Sequence, residues 1–396
     1  MKVVFISPVT PYKENMGGPS GHPYHLMIER PENVDIIIYS YNNNLLSDDV
    51  IRQVEQELHV EIRLLKQPKW WLFILRLHLT FIRLFLKYPI NYYIRLENKT
   101  VTEIKSQNPD LIWGYGQEFS GILKQFKEFK RIHTVPDCYS LHFYRRLGKR
   151  FSLLNMKEYW RTVINYRKFY RMERDYDDSD NIKYFLVGKE DAEFLEELNP
   201  KLHAQFVRHP HYEIAEPQKL VHFSSPKIKL LFAGRYDFYM QQEADKLHAQ
   251  FMINNTQLKE HYVLTFLGKG WEKHVETLKQ AGYDVNQIKF APDYIEEIRK
   301  HDIQITPIAV GTGTKGKVLD ALANGLLVIG TKYALENIAV ENGVSCIEYK
   351  RPVEAIEILR SIPFDVETFE RMAENGREQV LKSHNRRLIG EKYFKN

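Results

Sequence analysis

The sequence predicts an α/β protein built from two doubly wound, Rossmann-like domains. Short apolar segments alternate with helical stretches along the chain, and this alternation is typical of parallel sheets with helices on both faces. The length of 396 residues exceeds what one hydrophobic core usually serves, so two domains are expected. Strands are predicted at residues 3–7, 35–39, 110–113, 131–135, 183–187, 227–235, 262–270, 288–294, 303–306 and 327–330.

A proline-containing stretch marks the predicted boundary between the two domains. Residues 210–226 contain three prolines and end in the run Phe-Ser-Ser-Pro, which is typical of an irregular connection. We therefore assign residues 1–210 to an N-terminal domain, 211–226 to a linker, 227–380 to a C-terminal domain and 381–396 to a helix that packs back on the N-terminal domain.

Composition restricts the class of protein. Hydrophobic residues make up 43% and charged residues 27% of the chain, as in soluble globular proteins. The two cysteines, Cys138 and Cys346, are too few for a disulfide framework and favour a reducing compartment. The first residues lack the apolar region of a signal peptide, and no run of about eighteen uncharged apolar residues could span a membrane. We expect a cytoplasmic protein that binds no nucleic acid, because no aromatic-basic groove motif accompanies the net charge of +5.

The most informative segment is residues 302–336, where an apolar strand leads into a Gly/Thr loop and then a helix. Lys317 lies in the first turn of that helix, and Asp320 follows one turn later. A glycine loop at a helix N-terminus attracts anions, because unpaired N–H groups and the helix dipole both favour phosphate. The carboxylate of Asp320 could accept hydrogen bonds from a ribose. The pattern therefore predicts a site for a nucleoside diphosphate.

The same run, with its Lys-Val-Leu-Asp-Ala-Leu-Ala core, resembles the donor-binding signature of GT-B glycosyltransferases. The likeness is to the retaining family 4 group, also called glycosyl transferases group 1. That family often carries two glutamates eight positions apart, and here Thr312 and Asp320 stand at those positions. Asp320 is a conservative replacement, whereas Thr312 cannot take the first acid's contact with sugar hydroxyls. The resemblance implies a GT-B fold, in which two Rossmann-like domains face each other across a cleft.

Other segments resemble the family at the expected distances. Residues 227–235 resemble the strand that opens its nucleotide-binding domain, and Arg235 matches an arginine that contacts the diphosphate. The resemblance implies that the donor is bound by Arg235, Gly311, Thr312, Gly313, Thr314, Lys317, Asp320 and Gly18. It also implies an acceptor side that includes Gly17 and His22, in a glycine loop after the first strand. We expect base selectivity to depend on the loops around Asp293 and Trp271.

A carboxylate follows the predicted strand at residues 131–135. Ligands of open α/β sheets gather at the carboxyl ends of strands, where Asp137 is expected. Related enzymes carry a His or a His-Asp pair near this point that contacts the transferred sugar, and Asp137 matches it best, with Pro136 in place of the His. The resemblance implies that Asp137 is catalytic together with Lys317 and Arg235. The alternative for Asp137 is a loop or helix-cap role.

No metal or other cofactor is expected. Asp175 and Asp177 resemble the Asp-X-Asp metal motif of a different glycosyltransferase fold, but they lie in a charged, helix-like stretch that also contains Glu173. We interpret that stretch as a solvated face. The positive charges of Arg235 and Lys317 would take the place of a divalent cation at the diphosphate.

Residues 68–89 form the second informative segment. If they form one helix, Lys69, Arg76, Arg83 and Lys87 fall on a narrow stripe, and nearly all other residues are Trp, Leu, Phe or Ile. Such a helix suits the surface of an anionic membrane, and its interior arginines argue against spanning the bilayer. The alternatives are a core helix with one solvated edge, or a contact between subunits.

These features predict a glycosyltransferase that moves a sugar from a nucleotide-sugar donor to a glycan acceptor without a metal. Retention at the anomeric carbon is implied by the resemblance alone. If residues 68–89 lie on a membrane, the acceptor is a lipid-linked glycan, and the process is bacterial surface polysaccharide assembly at the inner face of the cell membrane. Two alternatives remain: a nucleotide-sugar epimerase of the same fold, and a non-catalytic nucleotide-binding scaffold.

Overall fold

The structure, a computed structural model, describes residues 1–15, 19–147 and 156–395. The chain divides into two compact units, of which the first comprises Met1–Pro210 with Arg386–Asn396 and the second comprises His211–Asn385. Within the described ranges, no helix is long and apolar enough to cross a lipid bilayer.

The first unit contains one parallel sheet. Its described strands are β1 (Lys2–Ser7), β2 (Asp35–Ser40), β3 (Glu61–Leu64), β4 (Leu111–Tyr115), β5 (Arg131–Thr134), β6 (Ile182–Leu186) and β7 (Ala204–Phe206). They are arranged in the order β3-β2-β1-β4-β5-β6-β7. The surrounding helices are α1 (Gly21–Met27), α2 (Asp48–Leu58), α3 (Lys69–Arg76), α4 (Asn98–Ser106), α5 (Ser120–Leu123), α6 (Tyr139–Leu147), α7 (Met156–Arg174) and α8 (Lys189–Leu198).

The second unit also contains one parallel sheet. Its described strands are β8 (Ile228–Ala233), β9 (Tyr262–Leu267), β10 (Asp284–Ile288), β11 (Ile303–Thr306), β12 (Leu327–Gly330) and β13 (Ile347–Glu348). They are arranged in the order β10-β9-β8-β11-β12-β13. The helices are α9 (Gln241–Ile253), α10 (Asn255–Leu258), α11 (Glu272–Gln280), α12 (Tyr294–Ile298), α13 (Gly316–Ala323), α14 (Lys332–Leu335), α15 (Pro352–Ser361) and α16 (Val366–Ser383).

Both sheets are covered on both faces, which explains their apolar strands. In β1, Val3 and Phe5 pack into one hydrophobic cluster, whereas Val4 and Ile6 pack into another. Because neighbouring side chains of a strand point to opposite faces, a strand buried on both sides needs a continuous apolar run. The predicted α/β class with two Rossmann-like units is confirmed.

The C-terminal residues form two helices, and the boundary between them lies inside the segment 381–396 that we assigned to one helix. After α16, a second helix α17 (Arg386–Phe394) follows and belongs to the first unit. There Tyr393 is buried, with its ring centroid 5.0 Å from that of Trp113. The residues that we assigned to a linker, 211–226, lie in the second unit, where the backbone N–H of Ser224 donates to Asp302 at 3.0 Å.

Two predicted elements are wrong. The strand expected at residues 288–294 ends at Ile288, because Asp293 caps α12 by accepting a hydrogen bond from the N–H of Glu296 at 2.8 Å. The single helix expected at residues 68–89 is interrupted between α3 and a 3₁₀ helix at Thr80–Phe85, and His78 between them has a left-handed φ of +53°. The remaining described 3₁₀ helices are Ile90–Tyr93, Gln117–Phe119, Lys124–Phe126 and Ile362–Phe364.

Candidate functional site

A cavity lies in the second unit where the strand order reverses. β8 has β9 on one side and β11 on the other, and ligands of open α/β sheets bind beyond the carboxyl ends of strands at such a switch point. The residues that follow β8 and β11 enclose a cavity of about 310 Å³. Its polar lining includes Arg235, Asp237, Thr306, Thr314, Lys315 and Lys317.

The first wall of the cavity is the loop after β8. Gly234 has a φ of +134°, a conformation that strains any residue with a side chain. Its N–H donates to Leu267 at 2.9 Å, and its carbonyl accepts from the indole N–H of Trp271 at 2.8 Å. These bonds fix the point at which Arg235 leaves the sheet with an exposed side chain. Trp271 itself is buried. Its side chain therefore stabilises the loop and is not available to contact the base of a nucleotide.

The second wall is the loop after β11, and it is bonded to the first. The N–H of Ala309 donates to the carbonyl of Tyr239 at 2.7 Å. Asp237 fixes the turn that presents this carbonyl, since its side chain accepts from the N–H of Tyr239 at 3.0 Å. The two walls therefore hold each other in register on either side of the cavity.

Lys315 organises the Gly/Thr loop from inside. Its ammonium group donates to the carbonyls of Thr312 at 2.7 Å and Gly313 at 2.9 Å. A Cβ added at Gly311 would lie 2.9 Å from the Lys315 Cε atom, so the glycine makes room for this side chain. Lys315 was not among the predicted site residues, although its position directly before a helix N-terminus was visible in the sequence.

The N-terminus of α13 opens onto the cavity. The N–H groups of Val318 and Leu319 both donate to the carbonyl of Lys315, at 3.0 and 3.1 Å. Within the described chain, the N–H groups of Gly316 and Lys317 have no hydrogen-bond partner. A Cβ at Gly316 would meet no atom within 4 Å, so open space lies beside these donors. Unpaired N–H groups at the positive end of a helix attract anions.

Lys317 lies between the cavity and an aromatic ring. Its side chain is exposed and lines the cavity, and its ammonium nitrogen is 5.1 Å from the ring centroid of Tyr294. Partial desolvation lowers the pKa of Lys317, while the charges of Asp320 and Asp237 oppose that shift. The hydroxyl of Tyr294 is buried and has no hydrogen-bond partner within the described chain. Tyr294 was not among the predicted site residues, because it reaches Lys317 only through the tertiary fold.

Asp320 lies one turn after Lys317 in α13 and is buried. Burial raises the pKa of its carboxyl to about 7, the charge of Glu213 adds to the rise, and the charge of Lys317 opposes it. Near neutral pH the carboxyl is therefore divided between its protonated and ionised forms. It can accept a hydrogen bond in one form and donate one in the other.

The structure brings together some of the expected donor residues and separates others. Arg235, Thr314 and Lys317 line the same cavity, and Asp320 interacts electrostatically with Lys317. The residues Gly311, Thr312 and Gly313 are buried in the loop behind and do not line the cavity. Gly17 and Gly18 lie outside the described residues.

The first unit has a switch point of its own, between β1 and β4. His22, expected on the acceptor side, lies near it in α1 and is buried. Its Nδ1 atom is 3.2 Å from the hydroxyl of Tyr115, the last residue of β4. Burial lowers the pKa of His22 far below its ordinary value, and the nearby rings of His209 and His25 lower it further. His22 is therefore neutral at physiological pH.

Asp137 follows β5 at the carboxyl edge of the first sheet, with a half-buried side chain. Its carbonyl accepts a hydrogen bond from the side chain of Gln117 at 3.1 Å. Glu173 is a further acceptor at the start of the helix that follows, α6. The carboxylate of Glu173 accepts from the N–H groups of Tyr139 and Ser140 at 2.8 and 3.0 Å, at the start of α6.

The Asp175–Asp177 stretch is not a solvated face. Asp177 is buried and pairs with Arg131 at 2.7 Å, while Asp175 accepts hydrogen bonds from Lys87 at 2.8 Å and Tyr88 at 2.7 Å. Both carboxylates are thus used in tertiary contacts. In the ranges that the structure describes, no group of three or more His, Cys, Asp or Glu could hold a metal ion.

Comparison with known proteins gives one family and several structural neighbours. Residues 227–360 match the family described as glycosyl transferases group 1. No curated protein matches the chain.

Among solved structures, Anabaena HepE in complex with UDP is similar with a TM-score of 0.62 and 13% identity, over 100% of this chain and 99% of that one. Sucrose-phosphate synthase from Thermosynechococcus elongatus gives 0.64 and 13% over 100% and 98%. WaaG, a glycosyltransferase involved in lipopolysaccharide biosynthesis, gives 0.59 and 13% over 98% of both chains.

Proposed function

We propose that the chain is a glycosyltransferase that transfers a sugar from a nucleoside diphosphate sugar to a glycan acceptor. The match of residues 227–360 to the glycosyl transferases group 1 family and the GT-B fold that the chain shares with HepE and WaaG support this proposal. The donor binds in the cavity of the second unit, between the loops that follow β8 and β11.

One observation carries this proposal: two cationic side chains and a helix N-terminus share one cavity at the switch point. Arg235 comes from the loop after β8, whereas Lys317 comes from α13 after β11. A diphosphate placed there meets two positive charges together with the N–H groups of Gly316 and Lys317. Guanidinium, ammonium and helix N-terminal groups are the donors that proteins use for phosphate.

The same groups can assist the reaction. When the bond from the sugar to the diphosphate breaks, negative charge grows on the leaving phosphate. Positive groups that are already in place stabilise this charge more in the transition state than in the ground state, and so lower the barrier. In this proposal Arg235 and Lys317 carry that role without a metal ion. Asp320 binds the ribose, and the sugar is transferred with retention, as the family resemblance implies.

The structural neighbours indicate which nucleotide to test first. HepE has been seen in complexes with UDP, with UDP-glucose, and with UDP and glucose. Because HepE shares the fold over the full length of this chain, uridine diphosphate sugars are the first donors to test.

The acceptor side is proposed to lie in the first unit. Asp137, at the carboxyl edge of the sheet, is proposed to contact the transferred sugar, and the Gly17, Gly18 and His22 segment to contribute to substrate binding. We propose a lipid-linked glycan as acceptor and surface polysaccharide assembly as the process. The neighbours WaaG and WaaB are described as lipopolysaccharide glycosyltransferases, which supports this choice.

The test is a transfer assay with a panel of UDP-, GDP- and dTDP-sugars. Each donor is incubated with the chain, with and without lipid-linked glycan acceptors, and mass spectrometry follows the donor, the free nucleotide and the acceptor. We expect acceptor-dependent transfer from one nucleotide class, and we expect Lys317→Ala to reduce it strongly. Lys279→Ala, which removes an exposed charge from α11 in the same unit, is the matched control.

Two other results would overturn the proposal. If the donor sugar is epimerised without an acceptor, the chain is an epimerase. If a nucleoside diphosphate binds but no acceptor in the panel is modified and no donor is consumed, the chain is a nucleotide-binding scaffold.

A further inference from the structure

An unusual concentration of apolar side chains is exposed in the first unit. Between residues 69 and 87, in α3 and the 3₁₀ helix that follows, large hydrophobic side chains face solvent. Those more than a third exposed are Trp70, Leu72, Phe73, Leu77, Phe81, Leu84 and Phe85. Phe85 is 83% exposed. A concentration of exposed apolar side chains of this kind marks an interaction surface, and the core-helix alternative is wrong for these side chains.

The charges in this segment are all of one sign. Residues 68–88 contain no aspartate or glutamate. Lys69, Arg76 and Arg83 are exposed, as is Lys87, which pairs with Asp175 at 2.8 Å. The partner of this surface must therefore be apolar and negatively charged in the same region.

A basic groove lies on α7. Arg167, Arg171 and Arg174 are spaced to share one helix face, and together with Tyr166 and Tyr170 they line a groove of about 250 Å³. The rings of the two tyrosines are 5.7 Å apart. The planar guanidinium group binds phosphate oxygens with two parallel hydrogen bonds, and tyrosine is enriched where apolar and polar media meet.

The apolar segment is attached to the helix that carries the groove. Lys87 and Tyr88, at the end of the segment, bond to Asp175 directly after α7. In the middle of α7, burial lowers the pKa of Lys168, and the charge of Arg83 lowers it further. The segment is thus held alongside the helix that carries the arginines. We call the exposed side chains of residues 69–87 together with the groove on α7 the basic apolar face.

We propose that the basic apolar face docks onto an anionic lipid bilayer, with lipid phosphates in the arginine groove. Exposed aromatic and aliphatic side chains enter the interface, while lysine and arginine stems reach back to the headgroups. Charge complementarity favours a bilayer over a protein partner. The cores of protein interfaces are depleted in charged residues, whereas a bilayer surface offers a continuous layer of phosphate. This inference does not depend on the donor site; under the proposed function it brings the first unit to a lipid-linked acceptor.

Vesicle flotation of the full chain tests the proposal. The vesicles contain phosphatidylcholine alone, or phosphatidylcholine with phosphatidylglycerol. We expect binding to the anionic vesicles that weakens as salt is raised. Arg167→Ala with Arg171→Ala should reduce that affinity by about 30-fold, since each basic residue at an anionic surface contributes about fivefold. Lys273→Ala with Lys279→Ala on α11, which removes the same charge elsewhere, should leave it unchanged.

The apolar part is tested by Phe73→Ser, Phe81→Ser and Phe85→Ser combined. We expect this triple variant to lose binding to anionic vesicles. Circular dichroism checks the folding of the triple variant. If the triple variant does not fold, the double variant of Arg167 and Arg171 still tests the proposal, because both arginine side chains are exposed.

Three outcomes would overturn the proposal. Absence of binding between the wild-type chain and the anionic vesicles would end it. An equal loss in the α7 and α11 double variants would show a general charge effect. Self-association of the wild type that the serine variant abolishes, without vesicle binding, would assign the face to a second copy of the chain.

Discussion

Replacing Asp320 with asparagine should make the chain more stable above neutral pH. Asp320 is buried in α13, and its burial raises the pKa of its carboxyl to about 7. The charge of Glu213 also raises this pKa, whereas the charge of Lys317 lowers it. An ionised carboxylate in this position loses solvation that the unfolded chain would restore. Asparagine has nearly the same shape but no charge to desolvate.

The sign and the magnitude follow from the two pKa values. The carboxyl has an ordinary value of 3.8 and a folded value of about 7. The stability that this group contributes is complete below about pH 3.8 and is lost as the pH rises through about 7. The difference of about 3 pKa units corresponds to a ceiling of about 4 kcal/mol. Relaxation around the ionised group lowers this, so we expect asparagine to gain about 1–3 kcal/mol at pH 8.

The assay is urea unfolding of both proteins between pH 5 and pH 9. At pH 5 roughly a third of the stability difference should already be present, because the carboxyl of the unfolded chain is ionised there, and the difference should grow to a plateau above pH 7. Asp284→Asn, at an exposed position of β10 in the same unit, should give no such pH dependence. A difference that stays constant with pH, or an asparagine variant that is less stable at pH 8, would refute the reasoning. The donor affinity of Asp320→Asn should fall, because the carboxylate is proposed to bind the ribose.

Three further substitutions test how the site and the first unit are built. Lys315→Ala removes the hydrogen bonds to two loop carbonyls. It should raise the KM for the nucleotide sugar by about tenfold, measured in the transfer assay. Gly234→Ala strains a positive φ and should cost about 1–2 kcal/mol in urea unfolding while weakening donor binding; Gly343→Ala, also at positive φ but in open space, should lose stability only. Glu173→Ala leaves the N–H groups at the start of α6 without their acceptor and should cost about 2–4 kcal/mol, with unchanged nucleotide affinity in titration calorimetry.

The central strands were predictable because burial on both faces leaves a clear apolar run. The strands expected at residues 303–306 and 327–330 have the observed bounds. β10 was misplaced because it lies at an edge of its sheet and reads Asp-Val-Asn-Gln-Ile, with a partly exposed pattern. The apolar run after it was taken for the strand. Edge strands carry a weaker hydrophobic signal than central ones.

The donor cavity could be predicted only in part. Arg235 lies in the loop after β8, and Lys317 lies in the first turn of α13, after the loop that follows β11. Sequence order alone therefore placed both residues at the same sheet edge. Tyr294 was missed because its contact with Lys317 depends on the tertiary fold, whereas Lys315 was overlooked although it directly precedes a helix N-terminus. The helix expected at residues 68–89 had the right amphipathic period, but the left-handed residue His78 interrupts it, and no proline or glycine signals that break.

The most direct test of the central claim is titration calorimetry of UDP, GDP and dTDP against the wild type and Lys317→Ala, with and without magnesium. We predict that one nucleoside diphosphate binds the wild type without magnesium. Lys317→Ala should weaken that binding by about tenfold or more, as expected for the loss of one charged hydrogen-bond donor, and Lys279→Ala should not. Equal affinity in the wild type and Lys317→Ala, or no binding of any of the three, would contradict the placement of the donor site.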